Sequence, residues 1–369
     1  MTDPDGTFRP DWASAPGDTI ADLIEERGWS QIEVARRLGY TTKHVSLLIN
    51  GKAPVTEETA LCLERVLGST ARFWLTREAQ YRAQRASLDA AKRAEGWGGW
   101  CDRLPVRELM EAGAIVKRRV DVRNNPQIVE DLLRFFGVAS PDEWERHYAG
   151  MQVALRRTRE VQSDIGAISA WLRLGELEAE KLDGPRYDRT RFADALRQIR
   201  KLTLHAPDEF EPRMLALCQN AGVALVLVPS IPRAHVSGAA RWLSPHRPLI
   251  QLSLYGKTND RFWFTFFHEA AHILLHGRKG IFLDELGTGA IGSQEETEAD
   301  EWAGDFLIPQ SHQDELPFLK SKQPVAEYAQ RIGIHPGIVV GRLQHDQHID
   351  QSWMNDLKVS LSLVSAAAS

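Results

Sequence analysis

Residues 268–272 read His-Glu-Ala-Ala-His. Side chains four apart share one face of a helix, so the imidazoles of His268 and His272 can close on one ion. Glu269, beside the first of them, can face a water held by that ion. Zinc lowers the pKa of such a water to about 7, and a carboxylate can then take its proton. The chemistry implied is hydrolysis of a polarised carbonyl, normally a peptide carbonyl. The chain has 12 histidines in 369 residues. At that frequency the string arises by chance in roughly one such sequence in fifty. Its surroundings narrow the choice, because it lies between Phe262-Trp263-Phe264-Thr265-Phe266-Phe267 and Ile273-Leu274-Leu275. Two histidines and a glutamate on a buried helix are costly unless paired or metal-bound. The alternative is a set of core histidines satisfied by hydrogen bonds.

A catalytic zinc takes three protein ligands and keeps a fourth position for water. A helix expected from about Ser293 to Leu307, stopping at Pro309, offers Glu295, Glu296, Glu298 and Asp300. Glu296 and Asp300 stand four apart and share a face, and Ala299, Ala303 and Leu307 suit close packing on the metal helix. We assign Glu296 as the third ligand, with Glu298 or Glu295 as the alternatives. Asp300 is then the partner that accepts an N–H from a ligating histidine and fixes its tautomer. Some of these acids also fit a solvated first turn favoured by the helix dipole. His276 continues the row beyond His272, one turn too far for the same tight ligand set. It can line the cleft or cap the helix end before Gly277.

Such a site needs a scaffold. Ala221 to Pro229 (AGVALVLVP) reads as a buried strand, and Pro248 to Leu254 (PLIQLSL) alternates as a second. Ser237-Gly238-Ala239-Ala240 offers a cleft edge on which a substrate strand could pair. Residues 103–205 look helical throughout, with apolar positions at helical spacing in Leu132, Leu133 and Phe136, and in Ile168, Trp171, Leu172 and Leu174. Trp97, Trp100, Trp144 and Trp171 fit core or interdomain packing.

A second constellation lies near the N-terminus. Ser30-Gln31-Ile32-Glu33 is a capping box that opens a short helix, Gln31 to Leu38. Gly39 and Tyr40 make the turn, and Thr41 or Thr42 caps a second helix that runs through Ile49 to Asn50-Gly51. Two short helices joined by a glycine turn are the helix-turn-helix signature. Ile32, Ala35, Leu38, Val45, Leu48 and Ile49 supply the inward faces. Gln31, Thr42, Lys43, His44, Ser46, Asn50 and Lys52 are left as candidate DNA contacts. Between Val34 and Thr56 there is no Asp or Glu, whereas Arg36, Arg37, Lys43 and Lys52 all lie there. Phosphate contact needs such a local positive face. A protein-protein module of the same fold is the alternative.

The whole-chain balance agrees with a local patch. The net charge is −5, so the protein as a whole is not built to coat nucleic acid. The composition, 43% hydrophobic and 26% charged, is that of a globular protein, and the length fits two or three domains. Cys62, Cys101 and Cys218 form no CxxC, which argues against a disulfide framework or a thiolate zinc site. MTDPDGTFRP has no apolar signal region, and the run Val223 to Val228 is too short to span a bilayer. The expectation is a cytoplasmic protein without membrane attachment.

RFWFTFFHEAAHILLHG followed by EETEADEWAGDFLIP, with the later IGIHPGIVVGRLQHD, resembles the ImmA/IrrE zinc metallopeptidases over about residues 210–345. The resemblance implies a thermolysin-like (gluzincin) α+β domain. It implies zinc on His268, His272 and Glu296, and Glu269 as the catalytic glutamate. Members of that family are associated with cleaving helix-turn-helix repressors, so the resemblance also implies a protein substrate, without identifying it. Residues 17–85 resemble the HigA-type branch of the XRE regulators, including the Phe73-Trp74-Leu75 that follows the fourth helix. That implies dimeric binding to a double-stranded DNA operator and allows a toxin partner. The expected fold is mainly α with a small β-sheet. The expected order is a tail (1–16), a helix-turn-helix bundle (17–95), a helical connector (96–209), the peptidase domain (210–310) and a helical extension (311–369). Two functions follow: a DNA-binding regulator with a zinc endopeptidase, or a HigA-like repressor in which the metal is structural or sensory. Zinc-dependent hydrolysis of a small amide is a third.

Overall fold

The structure, a computed structural model, describes residues 12–148, 164–253, 257–276, 281–285 and 294–362. Most of the expected N-terminal tail, residues 1–11, lies outside them. The fold is mainly α with one four-stranded sheet. Packing divides the chain into Met1–Gly98 with Val120–Val129, and Gly99–Arg119 with Glu130–Ser369.

The N-terminal helices are α1 (Pro16–Glu26), α2 (Gln31–Leu38), α3 (Thr42–Ile49), α4 (Glu57–Leu67) and α5 (Ala71–Gly96). Four of them start on a hydroxyl. Ser30, Thr41, Thr56 and Thr70 accept the backbone N–H of Glu33, His44, Thr59 and Phe73. Each thereby satisfies one of the donors that a helix start leaves open. Thr41, rather than Thr42, caps α3. Gly39 closes α2 at φ 71°, a left-handed conformation that a Cβ would strain. Val34, Ala35, Leu38, Val45, Leu48, Leu63 and Trp74 form the shared core. Ile32 departs from expectation: it is 57% exposed. At about 100° per residue it lies about 200° round the helix from Val34, and Val34 holds the inward side.

After α6 (Gly98–Cys101), the described part of residues 103–205, expected to be helical throughout, contains α7 (Val106–Glu111), α8 (Asn125–Phe136), α9 (141–148), α10 (Ile165–Glu180) and α11 (Arg189–Leu202), with non-helical stretches at 112–124 and 181–188. Then come α12 (Pro207–Asn220), β1 (Ala224–Leu227), β2 (Val236–Ser244), β3 (Arg247–Leu252), α13 (Asn259–Leu275), β4 (Ile281–Glu285), α14 (Gln294–Leu307), α15 (Lys322–Ile332) and α16 (Pro336–His345). The sheet order is β1-β3-β2-β4, with β1 parallel to β3 and the other pairs antiparallel. The two expected strands are β1 and β3. β2 pairs with β3 on one side and β4 on the other, so Ser237–Ala240 is an inner strand rather than a cleft edge. Both of its backbone edges are taken by neighbouring strands.

Alternation along β2 assigns its faces. Ala240 joins the core around α13. Arg241 instead reaches α10, where it pairs with Glu176 at 2.8 Å. Gln251 on β3 does the same, donating to the Trp171 carbonyl at 2.7 Å. The sheet therefore lies between α10 and α13. One hydrophobic core runs from Phe192 on α11 to Leu361. The expected divisions at 209/210 and 310/311 fall inside that core. The C-terminal segment also ties down the start of α13. Lys358 pairs with the buried Asp260 at 2.6 Å, and Thr258 bridges to Ser360. No described helix is long and apolar enough to cross a membrane.

Candidate metal centre and candidate nucleic-acid interface

α13 is buried nearly all round, so its polar residues need internal partners. His268 is 4% exposed, His272 1% and Glu269 0%. The two histidines meet at Nε2···Nε2 2.9 Å. Glu296 on α14 reaches both, with Oε2 3.1 Å from His268 Nε2 and Oε1 3.6 Å from His272 Nε2. One donor atom from each of His268, His272 and Glu296 lies within 4.8 Å of the others.

The outer nitrogens are held as well. His268 Nδ1 lies 2.8 Å from Asp300 Oδ1. If its N–H points at that carboxylate, the Nε2 lone pair is turned toward His272 and Glu296. Burial lowers the His272 pKa, opposed by its hydrogen bond to Glu296, so the ring is neutral at pH 7. Burial alone would raise the Glu296 carboxyl. Its hydrogen bonds to His268 and His272 outweigh that and hold it at about 2, so it is an anion. Should both imidazoles turn Nε2 lone pairs to this point, as metal ligation requires, they and the carboxylate repel one another unless a cation joins them. Two nitrogens and one oxygen are also the donor set zinc takes in hydrolytic sites. The residues fit the ion.

Glu269 stands against β2. A Cβ added to Gly238 would come within 2.7 Å of Glu269 Oε1 and 2.5 Å of Thr265 Cγ2. Only a glycine lets the strand pass this close to the carboxylate. The small residues of SGAA mark the place in the sequence, but spacing alone does not connect them to Glu269. Of the alternative ligands, Glu295 is exposed, and Glu298 Oε2 lies 3.2 Å from His276 Nε2 instead.

In the N-terminal helices, Gln31, Thr42, Lys43, Asn50 and Lys52 are exposed. His44 and Ser46 are half-buried. His44 packs edge-on against Tyr40 at 4.8 Å between ring centroids. Asn50 donates its side-chain amide to the Ser46 carbonyl at 2.7 Å, so it also closes α3. Arg37 pairs with Glu33 and lies over the Trp29 ring at 4.2 Å. Its charge is thus partly engaged within the domain, which charge counting did not reveal.

Residues 20–74 match the helix-turn-helix family, and residues 226–365 match the IrrE N-terminal-like domain of the M78 peptidases. The chain carries a helix-turn-helix domain and an IrrE-like domain. His268, Glu269, His272, Glu296 and Asp300 all lie inside the IrrE-like stretch, and Gln31 to Lys52 inside the helix-turn-helix stretch. Among curated proteins, the chain is 38% identical over 60 residues to an uncharacterized HTH-type transcriptional regulator, YddM, of Escherichia coli (strain K12). The match takes in 16% of this chain and 64% of the length of that relative. Among solved structures, an addiction module antidote protein of a HigA family from Coxiella burnetii is 28% identical, with a TM-score of 0.21. It covers 23% of this chain and 92% of its own.

Proposed function

We propose that this protein is a DNA-binding transcriptional regulator whose IrrE-like domain is a zinc-dependent endopeptidase. The observation that carries the reading is the convergence of His268, His272 and Glu296 donor atoms within the IrrE-like domain, with both histidines buried. These three residues would hold the ion, and Asp300 would orient His268. When bound, zinc would polarise the scissile carbonyl and acidify a water. Glu269 would act as general base, taking the proton of the attacking water and returning it to the leaving nitrogen. The buried walls of the site keep bulk solvent from the carboxylate.

The substrate class proposed is a helix-turn-helix repressor, and this chain's own N-terminal domain is one available substrate. Lys43 and Lys52 would contact phosphate, while Gln31, Thr42, His44, Ser46 and Asn50 lie where base edges would be read. A homodimer on a two-fold operator is the expected assembly.

The test is proteolysis by the zinc-loaded full chain, of itself and of added helix-turn-helix proteins, against Glu269→Gln. Cleavage should be lost in the variant by at least about 100-fold, since proton transfer supplies a factor of about 10²–10⁴. Cleavage that persists unchanged in Glu269→Gln contradicts the role of Glu269. Operator binding with no cleavage in either protein would favour a repressor whose metal is structural or sensory.

A further inference from the structure

His276 stands one turn beyond His272 on α13, and its side chain is 4% exposed. Its Nδ1 lies 2.9 Å from His272 Nδ1, and its Nε2 lies 3.2 Å from Glu298 Oε2. From these contacts, and resting on the zinc reading above, we infer that His276 and Glu298 are positioning residues for the second metal ligand: a Glu298–His276–His272 chain aims His272 Nε2 at the ion.

The direction of each bond follows from the chemistry. An imidazole that gives its Nε2 lone pair to a cation carries its proton on Nδ1. His272 Nδ1–H must then donate, so His276 Nδ1 accepts. An imidazole with a lone pair on Nδ1 carries its proton on Nε2, so His276 donates to the Glu298 carboxylate. Every ring nitrogen in the chain has one permitted role. The carboxylate end makes the middle ring a better acceptor, which raises the basicity of His272 toward the metal. The arrangement parallels Asp300 on His268, with one imidazole inserted. The insertion answers a geometric need, because His272 is a full turn further along α13, and Glu298 on α14 reaches His276. Glu298 is thereby placed outside the ligand set and given a task.

The test uses the full chain with zinc added alone. Zinc affinity is read by competition with a chromophoric chelator, and site geometry by the visible absorption of the cobalt(II)-loaded protein. His276→Leu fills much of the same buried space but offers no acceptor, and should weaken zinc about 10–100-fold and shift the cobalt bands. His276→Gln, whose carbonyl oxygen can accept the His272 N–H, should recover much of the affinity. Glu298→Ala, on a half-exposed side chain, should weaken zinc several-fold. A folded His276→Leu with wild-type zinc affinity and an unchanged cobalt spectrum overturns the inference. If that variant does not fold, Glu298→Ala with wild-type affinity overturns it. A wild-type protein that binds no zinc overturns the proposed function and this inference together, whereas zinc binding insensitive to these variants overturns this inference alone.

Discussion

Asp300 Oδ1 lies 2.8 Å from His268 Nδ1, so the carboxylate on α14 fixes the ring on α13 whose other nitrogen faces Glu296. Asp300 is half-exposed, with 43% of its side chain open to solvent. Its removal should therefore leave the fold intact while loosening the metal. Asp300→Ala is expected to lose zinc affinity about 10–100-fold. Asp300→Asn, which can still accept the N–H, should lose less. Titration of the metal-free proteins with zinc, alongside their melting temperatures, checks this. Equal affinity in Asp300→Ala and wild type would remove Asp300 from the account.

Gly238 gives a second prediction, because the space its Cβ would need is filled by Thr265 and Glu269. Gly238→Ala should lower stability by about 1–3 kcal/mol through overpacking. It should also reduce hydrolysis well below the melting temperature, since the Glu269 carboxylate is displaced along with the Thr265 methyl, while zinc content stays near wild type. Wild-type stability and turnover in this variant would mean that β2 does not confine Glu269.

How far the sequence revealed this site depends on the range of the contacts. Intervals within a helix carried their own geometry. The four-residue spacing put His268 and His272 on one face, and the spacing of Glu296 and Asp300 placed both on the side of α14 that meets them. Contacts between elements were less legible. Four acids near the start of α14 fitted the third ligand by type, and only the packing of α14 on α13 separates Glu296 from Glu298. The edge role expected for Ser237–Ala240 failed because strand neighbours come from distant residues, here β3 and β4. Ile32 was expected inward by residue type, and the phase set by Val34, Ala35 and Leu38 turned it out. His272 and His276 stand i, i+4, a spacing that brings their rings together, but spacing alone does not say whether the second ring serves the metal or the first ring.

The DNA surface yields a prediction that separates it from the peptidase. Lys43 and Lys52 are exposed in a stretch from Val34 to Thr56 free of acidic residues. Lys43→Ala and Lys52→Ala should each weaken binding to unrelated duplexes about equally, and each should reduce the slope of log affinity against log salt by about 1. Zinc content should not change. Gel shifts across a salt series measure this. No duplex binding at low salt by the wild type would leave the helix-turn-helix domain as a protein-binding module.

Elemental analysis of the purified full chain tests whether His268, His272 and Glu296 build a zinc centre. About one zinc per chain is expected in the wild type and in Glu269→Gln, with that zinc lost in His268→Ala and Glu296→Ala. A well-folded wild type with no zinc, or zinc retained in full by both ligand variants, would contradict it.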